Sequence, residues 1–210
     1  KLVHSFDNGD FRGTVTAAAK LLQSYQTSPF LLNVLGKCHM QLGETEKAHS
    51  YLTKAVELEP SSVPCLALLA HAQTELKLFD QAITTFLKLL NLEPKNGVHL
   101  KGLGDTLWQA GRTAEALDCL QTACLLLPAN PEVLFTCAGL TKQMGDLETA
   151  KKLLNVITEL QPDHAEAHLN LGRIYSDTMA LPEAVAAFAK AVKSDPGQMQ
   201  AQAMKLHAMG

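Results

Sequence analysis

The 210 residues are 47% hydrophobic and 19% charged, which is enough apolar matter for a substantial core and too much for a disordered chain. A formal charge of −3 gives no net attraction to nucleic acid or acidic lipid, and no apolar run reaches the length of a membrane span. The first residues do not read as a signal peptide, and the five cysteines contain no CxxC pair; they read as buried reduced thiols, which favours a reducing compartment and a cytoplasmic location.

In chain order, residues 1–28 read as the latter part of a helix pair, with Gly9-Asp10-Phe11 at its turn. Residues 29–62 give the first full pair. Leu32, Leu35 and His39 lead along one helix to a break at Gly43, and Glu44 to Leu58 carries Ala48, Leu52 and Ala55 on one face of a second helix. The same punctuation returns in 63–96, 97–130, 131–164 and 165–198. Pro60, Pro94, Pro128, Pro162 and Pro196 stand 34 residues apart and end each second helix. Twelve residues before each proline lies Ala48, Ala82, Ala116, Ala150 or Ala184, and twelve before those lies Gly36, Ala70, Gly104, Ala138 or Gly172. Three registers locked to one period make this an internal repeat. The small residues let two helices approach, and Leu52, Phe86, Leu120, Leu154 and Phe188 fill the space beside them. Gly43, Gly111 and Gly145 share the turn position, where positive φ is free of a side-chain clash. Lys77 and Met179 replace that glycine, and the turn at Met179 is expected to differ, with Pro182 near the start of the next helix. Residues 199–210 read as the first helix of a further unit.

With these residues in place, the chain resembles a tetratricopeptide repeat (TPR) array over 29–198. The last unit, HLNLGRIY followed by EAVAAFAKAVKSDP, fits the pattern through Leu171, Gly172, Tyr175, Ala184, Phe188, Ala191 and Pro196. His168 and Cys137 depart from it, sitting where a large apolar residue is usual. The resemblance implies an all-α, right-handed superhelix of helix-turn-helix repeats whose first helices line a concave groove for a peptide or partner helix. Mapped onto this sequence, the outward side of those helices selects Phe30, Asn33, Lys37, His71, Glu75, Lys101, Asp105, Trp108, Phe135, Lys142, Glu166, Asn170 and Arg173. Lys101, Asp105 and Trp108 form one stripe, with Leu100, Leu103 and Leu107 expected buried beside it.

Other chemistry finds less support. In KGLGDTLW, Gly102 and Gly104 fall inside a helix and Leu103 stands where a phosphate loop needs lysine, so Gly104 reads as a packing contact and Gly102 as an ordinary helix residue near the groove. His164 and His168 share the spacing of zinc ligands, but the order HAEAH puts Glu166 on another face and His164 ahead of the helix. No serine, cysteine or threonine stands in a nucleophile signature, and acids alternate with bases as on solvated helices, in pairs such as Glu44 with Lys47 and Glu148 with Lys152. No catalysis, cofactor or metal is therefore expected.

The carboxylate clamp of chaperone-binding arrays is not matched either. Asn33 precedes Lys37 in reverse order, and Leu68, Val98 and Gly102 fill the remaining places. The asparagine ladder of O-linked N-acetylglucosamine transferase arrays is met only at Asn170, with Val34, Leu68, Gly102 and Thr136 on the other rungs. A non-catalytic scaffold that binds a protein or peptide is the first expectation. The second is a substrate-recruiting arm at the N-terminus of a larger enzyme, such as a bacterial glycosyltransferase or sulfotransferase. Self-association through the apolar face of 199–210 is a third.

Overall fold

In the computed structural model, which describes residues 2–25 and 27–197, every described element is a helix. The chain forms two compact units, Lys1–Cys119 and Leu120–Gly210. The first holds α1 (Leu2–Asp7), α2 (Phe11–Ser24), α3 (Pro29–Gln41), α4 (Thr45–Leu58), α5 (Val63–Glu75), α6 (Phe79–Leu92) and α7 (Gly97–Gln109). Helix α8 (Thr113–Leu126) runs from the first unit into the second, followed by α9 (Pro131–Gln143), α10 (Leu147–Leu160), α11 (Ala165–Asp177) and α12 (Leu181–Ser194). The helices α3, α5, α7, α9 and α11 begin 34 residues apart, and so do their second partners. Residues 199–210, on which the further helix and the self-association were placed, lie outside the described residues, as does Gln198 at the end of the last expected repeat.

Local chemistry sets where each helix starts. Side-chain oxygens of Asp10, Ser28, Asn96, Asn130 and Asp146 accept from backbone N–H groups in the first turns of α2, α3, α7, α9 and α10, satisfying donors that have no intrahelical partner. Pro29 and Pro131 occupy the first helical position, where the missing N–H costs nothing. The turns within pairs share one closing pattern. The Gly43 N–H donates to the Met40 carbonyl at 3.1 Å and the Glu44 N–H to the His39 carbonyl at 2.9 Å, with Gly43 at φ +71°.

This pattern corrects the expectation for Met179. Lys77 and Met179 both stand at φ 60° and make the same two bonds as the glycine turns. The turn geometry is imposed by the pairing of the helices, and the left-handed conformation is tolerated because Met179 points its side chain into solvent.

Within the first unit each helix packs on the next, and α3 also meets α5 as α5 meets α7. Ala48 and Leu52 cluster with Leu69 and Ala72, while Leu32 and Ala55 cluster with Cys65. In the second unit Leu134, Ala138, Leu154, Ile157 and Leu171 form one cluster and Leu169, Ala184, Phe188 and Ala191 another. Removing a leucine or phenylalanine side chain from water in this way contributes about 1.5–3 kcal/mol.

Small residues make the close approach. A Cβ on Gly36 would come within 2.5 Å of Leu52, and one on Gly172 would press into the Phe188 ring. Gly102 is a correction. It is buried, and a Cβ there would meet Phe86 of the preceding pair at 2.5 Å, so it is a packing glycine and not an ordinary helix residue.

Several polar groups inside the core are paired across helices. The Thr74 and Thr106 hydroxyls lie 2.8 Å apart between α5 and α7, and the Thr85 hydroxyl donates to Gln73 Oε1 at 2.8 Å. Buried His39 meets Glu44 at 2.6 Å and stacks on Tyr51, and buried His99 meets Glu93 at 3.0 Å.

Candidate interaction surface on the first helices

In the first unit the selected residues sit on α3, α5 and α7, and most already have a neighbour. Phe30 opens α3 with 58% of its surface exposed. The Asn33 side-chain N–H donates to Cys65 Sγ at 3.2 Å, tying α3 to α5. The Lys37 ammonium lies 4.5 Å over the Phe6 ring, a cation–π contact from α1 that draws it toward the N-terminal side. Glu75 accepts from the Thr45 hydroxyl at 2.9 Å and so turns toward the start of α4.

His71, Glu75, Lys101 and Asp105 make one electrostatic group. His71 stands edge-on to Phe86 at 5.4 Å, and loss of water around the ring, then the Lys101 charge, push its pKa down against the pull of Asp105 and Glu75. Lys101 and Asp105 form an ion pair at 3.0 Å along α7. One turn on, Trp108 keeps 38% of its surface exposed. Of the neighbouring stripe, Leu103 and Leu107 are buried while Leu100 is only half-buried.

In the second unit, Phe135 and Lys142 lie on α9, and Glu166, Asn170 and Arg173 on α11. Phe135 is half-buried and stacks on His164 at 5.5 Å, a contact that sequence reasoning missed. A cavity of about 460 Å³ opens beside this pair toward Glu132 and Glu166 at the helix starts. A smaller one of about 140 Å³ is lined by Phe135, Ala138, Gly139, Lys142, Leu154 and Asn170. Burial, then the charge of Arg173, push the Lys142 ammonium pKa down, and Asp177 opposes them. Asn170 donates to the Glu166 carbonyl at 2.9 Å.

The remaining candidates resolve into structural roles. His164 Nδ1 accepts from the Ala167 N–H as a helix cap, while His168 is buried and its Nε2 donates to the Pro162 carbonyl at 2.8 Å, so the two rings serve different ends. Glu148 pairs with Lys151 at 2.6 Å and not, as expected, with Lys152; Glu44 pairs with Lys47 at 3.1 Å as the spacing implied. The Cys124 thiol donates to the Val133 carbonyl at 3.9 Å, and the neighbouring Cys137 thiol, then burial, push its pKa up. No described helix is long and apolar enough to cross a membrane.

Helix pairs in a 34-residue register define an all-α repeat solenoid. Comparison with known proteins carries this to a family. Profiles described as tetratricopeptide repeat match residues 67–132, 107–168 and 143–208, and a profile for anaphase-promoting complex, cyclosome, subunit 3 matches residues 7–89. The chain belongs to the tetratricopeptide repeat family.

Among relatives, the protein CTR9 homolog of Arabidopsis thaliana is 29% identical over 157 residues, 68% of this chain and 14% of its own length. The cell division cycle protein 27 homolog A of the same plant is 28% identical over 55% of this chain and 16% of its own length. Stress-induced-phosphoprotein 1 of Caenorhabditis elegans is 25% identical over 77% of this chain and half of its own. The chain thus spans a small fraction of the first two. Among solved structures, YrrB, described as a TPR protein with an unusual peptide-binding site, aligns with a TM-score of 0.70 at 24% identity, covering 92% of this chain and 97% of its own. PilW, a type IV pilus biogenesis factor, aligns with a TM-score of 0.85 at 16% identity, covering 96% and 94%. At these identities the structures establish the fold alone.

Proposed function

We propose that this chain is a non-catalytic interaction scaffold that holds a peptide or helix of a partner protein on the faces of its first helices. One observation carries the reading: those faces combine exposed aromatic rings, Phe30 and Trp108, with charges of both signs. Aromatic anchors inside a polar surround are the usual composition of a protein-recognition patch. Family membership supports it, as does the peptide-binding site attributed to YrrB. The mixed charge favours a partner of mixed charge over nucleic acid.

A photo-crosslinking amino acid placed at Phe30 or Glu75, compared with Lys54 or Lys88 on the second helices, tests the assignment in native lysate. Capture of discrete proteins from the first pair of positions, lost on Trp108→Ala or Arg173→Glu, is expected. Equal capture from both pairs overturns it.

The recruiting-arm reading draws on one fact, that the relatives are several times longer than the matched region. It is tested by translating the coding sequence beyond Gly210. A catalytic domain there supports it, and an immediate stop codon removes it.

A further inference from the structure

We propose that the α9–α11 face of the second unit reads an apolar residue next to an acidic one in the partner segment, a specificity that rests on the scaffold reading above. The apolar side chain enters the small cavity over Gly139, and its neighbouring carboxylate meets Lys142 and Arg173.

Three observations converge. First, the cavity has the size of a side chain. Its volume of about 140 Å³ lies far below the roughly 300–1,000 Å³ of small-molecule sites. Ala138 and Leu154 supply an apolar floor, Phe135 a wall, and Gly139 the opening, since nothing lies within 4 Å of the place its Cβ would occupy. Gly139 is not a packing glycine like Gly36 or Gly172, and alanine would suit a helix interior better.

Second, two cations stand near this cavity, close enough for the Arg173 charge to act on Lys142. Lys142 lies three residues after Gly139 on α9 and lines the cavity itself, and Arg173 lies three after Asn170 on α11. Burial first, and then repulsion from the Arg173 charge, lowers the affinity of Lys142 for its proton, and Asp177, exposed at the end of α11, opposes them. A carboxylate between the two relieves that repulsion, and partial burial spares the interaction much of its screening.

Third, the opposite end of the face is acidic. Glu132 and Glu166 stand in the first turns of α9 and α11, beside Phe135 and His164. An acid in the partner is repelled there and attracted at the Lys142 end, so the charge pattern fixes register as well as composition.

The test uses the 210-residue chain, immobilised and panned against phage-displayed random dodecapeptides. Enriched sequences are expected to carry Asp or Glu adjacent to Leu, Ile, Val or Met. A selected peptide should lose about tenfold in affinity when its acid becomes the amide. That preference should vanish in Lys142→Gln and in Arg173→Gln and return in Arg173→Lys. Gly139→Val, which fills open space without disturbing the core, should weaken the aliphatic peptide and leave its alanine version nearly unchanged.

Enriched peptides without an acid, or an acid preference that survives Lys142→Gln, overturn the specificity and leave the scaffold reading standing. Failure to enrich any peptide over a blank surface overturns both.

Discussion

Gly172 lies in the middle of α11, where alanine is ordinarily the better residue by about 1 kcal/mol. Here the sign should reverse. A Cβ at this position would sit well inside 3.0 Å of two carbons of the Phe188 ring. That ring is fully buried among Leu169, Ala184 and Ala191 and has no space to retreat into. Overpacking of a closed core costs about 1–3 kcal/mol, and the rigidity of the site places this case toward the upper end, so Gly172→Ala should destabilise by about 2 kcal/mol net. Gly139→Ala is the internal control. It makes the same chemical change in a helix interior, but its Cβ would meet nothing within 4 Å, so it should stabilise by about 1 kcal/mol. Because arrays of repeats do not always unfold in one step, urea midpoints should be read together with amide hydrogen exchange in α11 and α12. Faster exchange there for Gly172→Ala and unchanged or slower exchange for Gly139→Ala are expected. Equal effects of the two substitutions would refute the packing argument.

Met179→Gly should raise the unfolding free energy by up to about 1 kcal/mol, read as a higher urea midpoint, because it relieves a φ of 60° and removes a side chain that touches little; a fall would show that the methionine packs. The carboxyl of Glu44 is held below its ordinary value of 4.5, first by the Lys47 ammonium and then by His39. A depressed carboxyl contributes stability above that value and loses it as pH falls, so Glu44→Gln should lower stability near neutrality, flatten the acid side of the stability–pH curve and converge with the parent at low pH. An unchanged acid limb would remove this pairing from the account. For the buried hydroxyl pair, Thr106→Val should cost about 1 kcal/mol by leaving Thr74 one partner short, while Thr74→Val with Thr106→Val should cost less than the sum of the two singles. Strict additivity would show that the hydroxyls act independently.

The sequence carried the architecture because a 34-residue register ties each proline, alanine and glycine to a place in a helix pair, and repetition multiplies a weak local signal. It carried less of the surface. Whether Lys37 lies over Phe6, or Glu148 chooses Lys151 over Lys152, depends on rotamers and on neighbours from other helices, which no single-helix periodicity encodes. The polar contacts of Gln73, Thr74, Thr85 and Thr106 were invisible for a related reason. Each lies on the buried side of its helix and is satisfied by a residue from another one. The opening at Gly139 did leave a trace, a glycine one place beyond the shared packing position. Only the empty space around it separates that glycine from a structural one.

Gly102 shows how one repeat compensates for its neighbour. In two pairs with glycine at the shared position of the first helix, the bulky residue of the second helix packs within its own pair, Leu52 on Gly36 and Phe188 on Gly172. In the pair of α5 and α6 that position is Ala70, fully buried. The Phe86 ring lies edge-on to His71 of α5 and also against α7, where Gly102 leaves room for it, while the residues corresponding to Gly102 elsewhere are Val34, Leu68, Thr136 and Asn170. We expect the two small residues to be coupled through this ring. Gly102→Ala should destabilise by about 1–3 kcal/mol through overpacking, outweighing the helix-propensity gain. Adding Ala70→Gly should let the ring move back and recover part of that loss, although glycine at 70 alone costs about 1 kcal/mol. A double-mutant cycle should then give a favourable coupling of at least about 0.5 kcal/mol, above the scatter of independent sites. Additive effects would mean that Ala70 does not place the ring, and that Gly102 answers to some other neighbour.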